Sequence, residues 1–193
     1  MLFRSTASDP GILDTLTYSW NFGDNTNAVT GQNVNHTFTD NGNYNVVLTV
    51  TDKDGAITTQ TVAVTVDNVA PMVVSIAGAD GKPFVKPNII KEGESVTFSA
   101  TATDPGILDT LTYSWNFGDA TNSIAGKDVT HIFADNGDYN VVLTVTDKDG
   151  GFTTQTVAVT VDNVAPSIVN IIKPITIPST LTITSVKQSK TKG

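Results

Sequence analysis

The sequence YSWNFGD occurs twice in this chain, at residues 18–24 and again at residues 113–119. In the first copy, the large side chains of Tyr18, Trp20 and Phe22 alternate with polar ones, which is the two-residue period of a half-buried β-strand. A buried aromatic side chain removes about 150–250 Å² from water, so one such strand can form the centre of a small core. The stretch therefore predicts a core strand that ends in a Gly-Asp turn.

The composition limits the classes of function. The chain has 193 residues, no cysteine and a formal net charge of −8. The absence of cysteine excludes a disulfide framework and thiol chemistry. All acidic residues lie within residues 1–166, and an acidic body argues against nucleic acid binding but is compatible with cation binding. No apolar run approaches the ~18 residues of a membrane helix. The first residues lack the apolar core of a signal peptide, which predicts either a cytoplasmic protein or a piece of a longer one.

An internal repeat favours the interpretation that this sequence is a piece of a longer protein. Residues 9–71 recur at residues 104–166 with a constant spacing of 95, and about four residues in five are identical. Such a repeat predicts two tandem copies of one module and argues against one catalytic site shared between them. We expect domains over residues 1–69 (repeat 1) and 70–166 (repeat 2), followed by a tail over residues 167–193.

Further strands follow the aromatic strand in each copy. In repeat 1, residues 25–35 are polar, residues 44–51 alternate as a second core strand, and residues 61–66 return with their valines inward. The turn at residues 52–55 predicts a hairpin in which Gly55 takes a positive φ. Short, evenly spaced strands predict an all-β fold of two immunoglobulin-like β-sandwiches. The predicted structural core residues are Trp20, Phe22, Tyr44, Trp115, Phe117 and Tyr139.

The two copies differ at their beginnings. Repeat 2 starts with a predicted strand over residues 72–76, a polar loop over residues 78–87 and a strand over residues 95–102. Repeat 1 begins inside the last of these, because Phe3 aligns with Phe98. Repeat 1 therefore lacks its first strand, which leaves an open sheet edge unless another segment fills the gap.

The tail is the obvious candidate for that segment. Residues 167–171 repeat the pattern of the first strand of repeat 2, whereas residues 172–193 have no counterpart in either repeat. We expect the tail to begin a further strand and then to supply an edge strand to its own or a neighbouring chain, or to be disordered.

The motifs of each copy resemble the PKD domain, the polycystic-kidney-disease-type immunoglobulin-like module. WNFGD is followed by HTF or HIF, then by G-x-Y-x-V-x-L-T-V-T-D and a glycine, over nearly the whole of residues 3–166. The family often has glycine after W-x-F-G-D, where this chain has Asn25 and Ala120, so we expect a turn of different shape there. The DPGILDTLTY insertion resembles the version in large secreted prokaryotic surface proteins. The resemblance implies extracellular β-sandwiches that serve as spacers, adhesion modules or accessory modules of secreted hydrolases.

Calcium is the one ligand for which the residues themselves make a case. Three acidic segments, the linker at residues 67–68 and the loops at residues 104–109 and 147–149, can converge at one end of repeat 2. Calcium takes six to eight oxygen ligands, commonly from such loops. The alternative is that Asp and Asn only form turns by bonding their own backbone.

The resemblance implies particular ligands. Some secreted collagenases of the family bind calcium through a linker Asn and two Asp residues, at positions that match Asn68, Asp104 and Asp147 here. Further candidate ligands in the same loops are Asp67, Asp109 and Asp149. Repeat 1 has Asp9 and Asp52 but no preceding linker, so we expect one complete site.

The remaining candidates favour structural roles. His36 and His131 occupy equivalent places and have no second His or Cys nearby in the sequence, so we expect them to be structural. Trp20 and Trp115 could stack on sugar rings, but their alternation with other aromatic residues favours the core. No G-x-S-x-G or comparable context surrounds any Ser or Thr, which predicts that the chain is not an enzyme.

The sequence therefore predicts a non-catalytic extracellular or cell-surface spacer or adhesion module in a repeat array, stiffened by calcium at the interdomain linker. The expected partners are other domains of the same array, and a surface protein or polysaccharide, with no nucleic acid and no membrane insertion. The alternative is an accessory module that binds polysaccharide or protein for a secreted hydrolase.

Overall fold

The computed structural model describes residues 1–11, 13–78, 80–84 and 89–170. Its regular elements in these ranges are all β-strands. In chain order, they are β1 (Leu2–Arg4), β2 (Thr17–Asn21), β3 (Val29–Thr30), β4 (Asn33–Asn35), β5 (Gly42–Thr51), β6 (Ile57–Val66), β7 (Met72–Ala77), β8 (Ile89–Lys91), β9 (Ser95–Thr103), β10 (Thr112–Asn116), β11 (Ile124–Ala125), β12 (Asp128–Ile132), β13 (Gly137–Thr146) and β14 (Phe152–Asp162). Within the described ranges, no helix is long and apolar enough to cross a membrane.

Repeat 2 is a complete sandwich of two sheets. One sheet has the strand order β11-β10-β13-β14-β8 and the other the order β12-β9-β7. The inward side chains of both sheets form one core, whose largest fully buried members are Phe98, Trp115, Phe117, Phe133 and Leu143. The β-branched and aromatic residues of these strands suit a pleated surface with one buried face.

Repeat 1 has the same plan with fewer strands. Its sheets have the orders β3-β2-β5-β6 and β1-β4, and none of its described residues forms a counterpart of β7 or β8. Its buried cluster is smaller and consists of Trp20, Phe22, Val34 and Val46. The prediction of an all-β pair of sandwiches, the first without its N-terminal strand, is confirmed.

The aromatic strand holds the same contacts in both repeats. The indole N–H of Trp20 donates to the carbonyl of Gly31 at 2.9 Å, and that of Trp115 donates to the carbonyl of Gly126 at 3.0 Å. These bonds satisfy the single polar group of a buried Trp. The predicted hairpin after β5 is also present, with Gly55 at φ +94°.

Three short features were not predicted from the sequence. The polar stretch at residues 25–35 contains β3 and β4, which are too short to show a period. The predicted polar loop at residues 78–87 contains Phe84, whose ring stacks on the buried ring of Phe98 with centroids 4.8 Å apart. Strand β8 adds to β14 in parallel, a pairing of distant residues that carries no local turn signal.

The turn after WNFGD keeps the backbone conformation that glycine favours. Asn25 and Ala120 both have φ +63°. The expectation of a turn shaped differently from that of the family stays a prediction. Asn tolerates the left-handed region because its side chain bonds locally, whereas alanine carries an unrelieved steric cost there.

The tail forms a unit of its own. The chain divides into compact units at Met1–Asn163 and Val164–Gly193. Residues 167–170 pair with no strand among the described residues, and the predicted start of a strand there stays a prediction. The predicted edge strand over residues 172–193 lies outside the described residues. The domain boundaries at residues 69 and 166 stay a prediction.

Candidate metal centre at the start of repeat 2

The loops at the start of repeat 2 bring three carboxylates together. Asp104 follows β9, Asp109 lies in the loop before β10, and Asp147 follows β13. One carboxylate oxygen of each lies within 4.8 Å of one oxygen of each of the others. The two long strands β9 and β13, which lie in different sheets, fix this convergence because both end at the same end of the sandwich as the linker.

Asp147 connects the linker to the hairpin. Its side chain is buried, and its Oδ2 accepts a hydrogen bond from Nδ2 of Asn68 at 2.9 Å. Its Oδ1 accepts the backbone amides of Asp149 at 2.9 Å and Gly151 at 2.8 Å. The Asn68 amide, followed by these backbone amides, holds the pKa of Asp147 below its usual value. Asp147 is therefore an ionised anchor for the linker.

Asp104 and Asp109 are incompletely satisfied. Oδ1 of Asp104 accepts the backbone amide of Gly106 at 2.7 Å. The Oδ2 atoms of Asp104 and Asp109 are both buried and have no hydrogen-bond partner among the described residues. Burial, together with the neighbouring carboxyl of Asp109, raises the pKa of Asp104. Buried carboxylate oxygens without a donor are costly, and a cation is one way to satisfy them.

Among the described residues, Lys148 is the only cation that forms an ion pair with the cluster of Asp104, Asp109 and Asp147. Its Nζ donates to Oδ1 of Asp109, to Oδ2 of Asp149 at 2.8 Å and to Oδ1 of Asp40 at 2.7 Å. These carboxylates raise the pKa of Lys148, with Asp109 the largest contributor. The hydrogen bond from Lys148 in turn lowers the pKa of Asp40. Since Asp40 belongs to repeat 1, this ion pair joins the two repeats.

Sequence reasoning missed Lys148 because its partners are 39 and 108 positions away. It also missed Gly151. A Cβ on Gly151 would lie 2.5 Å from Oδ2 of Asp147 and 2.7 Å from Nδ2 of Asn68, so only glycine leaves room for the linker amide. The sequence does contain one indication of this role: the two repeats are nearly identical, yet repeat 1 has Ala56 at the position of Gly151.

The remaining predicted ligands do not all join this group. Asp149 belongs to a second acidic group with Asp40 and Asp109, the one that surrounds Lys148. Asp67 is exposed and belongs to none of the acidic groups found in the described residues. The four side chains that converge are Asn68, Asp104, Asp109 and Asp147.

Repeat 1 contains a partial counterpart. Asp9, Asp14 and Asp52 also have oxygens within 4.8 Å of one another, and Lys53 pairs with Asp14 as Lys148 does with Asp109. None of the described residues takes the place of the linker Asn68. The group in repeat 1 therefore has three of the four side chains.

The two histidines each form a buried hydrogen bond with an aspartate. Nε2 of His131 lies 2.7 Å from Oδ2 of Asp119, and its ring stacks on Phe117 with centroids 3.8 Å apart. Burial alone would raise the pKa of Asp119, but hydrogen bonds from Thr121 and His131 hold it below its usual value. His36 repeats this arrangement in repeat 1. Neither histidine belongs to an acidic group that could hold a metal in the described part of the chain.

Comparison with known proteins identifies the family. The model of the PKD domain matches residues 1–66 and 81–161. A microbial collagenase of Vibrio alginolyticus is 40% identical over 88 residues, which are 44% of this chain and 9% of the collagenase. Collagenase ColA of Clostridium perfringens (strain 13 / Type A) is 37% identical over 62 residues, which are 32% of this chain and 6% of that protein. The chain thus spans less than a tenth of the length of either collagenase.

Among solved structures, the PKD1 domain of Vibrio anguillarum Epp aligns with a TM-score of 0.38 and 24% identity, over 50% of this chain and 99% of that domain. The family model matches most of the chain, in two segments that fall in the two repeats. The chain therefore belongs to the PKD domain family.

Proposed function

We propose that the chain is a non-catalytic extracellular spacer whose joint between repeats is stiffened by calcium. The observation that carries this proposal is the pair of buried, unpartnered Oδ2 atoms of Asp104 and Asp109. They lie beside Asp147, which already binds the linker through Asn68. A divalent cation held by these carboxylates would satisfy the unpartnered oxygens and fix the linker against the loops of repeat 2.

The chemistry of the donors selects the kind of cation. The three carboxylates offer oxygen, Asn68 contacts Asp147 through its amide Nδ2, and no imidazole joins the group in the described part of the chain. Hard cations such as Ca²⁺ prefer these ligands, whereas zinc prefers Cys and His. Ca²⁺ tolerates irregular geometry at six to eight ligands, so backbone carbonyls or water would complete the shell.

The ion pair between Lys148 and Asp40 supports a role as a spacer. It ties repeat 1 to repeat 2 independently of any metal, because Lys148 lies on the hairpin and Asp40 lies before β5. An exposed ion pair is worth little on its own, with typical values of about 0–1 kcal/mol. A cation that also fixes Asn68 would therefore add most of the stiffness of the joint.

Thermal unfolding of residues 1–193 in chelator and across a calcium titration tests the proposal. Binding to the native state alone raises the free energy of unfolding by RT ln(1 + [L]/Kd), which is about 2.7 kcal/mol at 100 times Kd. We expect a saturable rise in Tm that Asp104→Asn abolishes. Asp9→Asn is the matched control at the equivalent position of repeat 1, and it should leave most of the rise intact. No rise at millimolar calcium, or equal loss in both variants, would contradict the proposal.

The collagenase relatives favour a second candidate, an accessory binding module of a secreted hydrolase. In the described part of the chain, Phe152 is the one exposed aromatic side chain, so there is no row of aromatic rings for stacking on sugars. Sedimentation with insoluble collagen or polysaccharide separates the two candidates. Retention that Phe152→Ala reduces would favour the binding module, and no retention is expected of a spacer.

A further inference from the structure

Repeat 1 has an open groove beside residues 4–7. The groove has a volume of about 360 Å³. Its apolar lining comes from Ala7, Trp20, Leu48, Val50 and Val62. An open edge beside an apolar groove is a site at which another strand can add.

Repeat 2 shows what occupies this position in a complete sandwich. There, β7 pairs antiparallel with the second half of β9, with Val73 opposite Ala102 and Ile76 opposite Ala100. Val73 and Ile76 also pack on the core. The corresponding backbone in repeat 1, residues 5–8, is not in a strand. The strand that corresponds to β9 thus ends at Arg4 in repeat 1, whereas β9 itself continues to Thr103 in repeat 2, where β7 pairs with it.

The side chains under the groove show the same difference. Val157 in repeat 2 is 9% exposed, whereas the equivalent Val62 is 50% exposed. Ala102 is half-buried and the equivalent Ala7 is exposed. The lining of the groove in repeat 1 is thus a core surface without its cover.

The chain contains a second segment with the pattern of β7. Residues 166–170, P-S-I-V-N, match residues 71–75, P-M-V-V-S, and each segment follows a D-N-V-A sequence. Ile168 takes the place of Val73, and Val169 takes the place of the outward Val74. Ile168 and Val169 are 81% and 93% exposed, so this segment offers apolar side chains that nothing covers within the described residues.

The tail that contains the donor segment and the repeat that would accept it carry opposite net charges. Residues 167–193 contain four Lys and no acidic residue. Residues 1–69 contain seven Asp but only one Arg and one Lys. Opposite charges steer association and favour this pairing over contacts between two acidic bodies.

We propose that residues 166–170 of one copy of this chain add as an edge strand to repeat 1 of a second copy, antiparallel to residues 5–8. By the register of β7 on β9, Ile168 lies opposite Ala7 and enters the groove, while Val169 points to solvent. Reciprocal exchange between two copies closes into a dimer, and exchange that does not close gives larger species.

Light scattering after size-exclusion chromatography, over a range of concentrations of residues 1–193, measures the association. We expect a mass of at least twice the 20.3 kDa of one chain at high concentration. Ile168→Asp should return the mass to that of one chain, because it places a charge in the groove. Val169→Asp is the matched control and should leave the mass unchanged. A single-chain mass at every concentration, or equal effects of the two variants, would overturn the proposal.

Cross-linking tests the register directly, since the chain has no native cysteine. Directly opposed residues of paired strands have Cα atoms at distances that a disulfide can span. We expect an oxidised mixture of Ala7→Cys and Ile168→Cys proteins to form a disulfide-linked heterodimer, and a mixture with Val169→Cys in place of Ile168→Cys to form much less. If the double variant Ala7→Cys/Ile168→Cys instead cross-links only within one chain, the segment binds its own repeat and the second copy is excluded.

Discussion

Val157 and Val62 occupy equivalent positions in two repeats of near-identical sequence, and only Val157 is covered by other residues. Val157 is 9% exposed and belongs to the core of repeat 2, whereas Val62 is 50% exposed at the groove of repeat 1. Truncating each to alanine removes the same two methyl groups. We therefore expect unequal losses of stability from one chemical change.

The magnitudes follow from burial. Two buried methyl groups contribute about 1.6 kcal/mol at about 0.8 kcal/mol each. Val157→Ala also leaves an enclosed cavity, and roughly 40 Å³ at about 24 cal/mol per Å³ adds about 1 kcal/mol. We expect Val157→Ala to cost about 2.5 kcal/mol in repeat 2. Val62→Ala loses about half of the transfer contribution and leaves no enclosed cavity, so it should cost about 0.8 kcal/mol in repeat 1.

Urea unfolding monitored by tryptophan fluorescence measures both losses separately, because each repeat contains one Trp. Trp20→Phe leaves Trp115 as the reporter of repeat 2, and Trp115→Phe leaves Trp20 as the reporter of repeat 1. An Ile168→Asp background keeps the groove free of any donated strand. With slopes of about 1–3 kcal/mol per molar urea, the larger loss lowers the midpoint by about 1 M or more.

Equal losses in the two repeats would refute the reasoning. They would mean that Val62 is covered in solution even when residue 168 carries a charge, so the groove of repeat 1 would not be open. A cost for Val62→Ala that appears only with Ile168 intact would instead connect the cover of Val62 to the donated strand.

Three further results are expected. Ala120→Gly should raise the free energy of unfolding of repeat 2 by about 0.5–1 kcal/mol, which urea unfolding checks. It relieves a left-handed alanine that costs about 1–2 kcal/mol, and the greater chain entropy of glycine in the unfolded state offsets part of this gain. Gly151→Ala should lower calcium affinity in a calorimetric titration without removing any ligand, because its Cβ displaces the Asn68 amide from Asp147. In chelator, the wild type should gain stability relative to Asp104→Asn as the pH falls from neutral, because the pKa of Asp104 is raised in the folded state, which therefore binds the proton before the unfolded state does. Thermal unfolding at several pH values measures this difference in stability. The difference should disappear in saturating calcium.

The long strands and the aromatic strands β2 and β10 could be predicted from the sequence, whereas the two- and three-residue strands β3, β4 and β8 could not. β5 and β13 run for ten residues each with a clear two-residue period, and their hairpins carry Asp and Gly in the turn. β8 has three residues and exists only because β14, more than 60 positions later, offers it an edge. A local pattern contains no information about such a partner.

The candidate site divides in the same way. Loop composition and the family resemblance were enough to select Asn68, Asp104 and Asp147, which the structure brings together. Lys148 was not predicted, because its role depends on a carboxylate from the preceding repeat. Charge counts show that acids are in excess but not which acid a given lysine meets.

The ion pair between Asp40 and Lys148 also bears on how such a protein can change its length. Asp135 is the copy of Asp40, and Lys53 is the copy of Lys148, so every repeat encodes both halves of the joint. A gene duplication of one whole repeat therefore brings a matched connector with it. Lengthening or shortening the protein by unequal recombination would therefore keep this ion pair at each new boundary. A copy of repeat 1 placed after another repeat would still need Ala56 changed to glycine, because a Cβ at this position occupies the space of the linker amide.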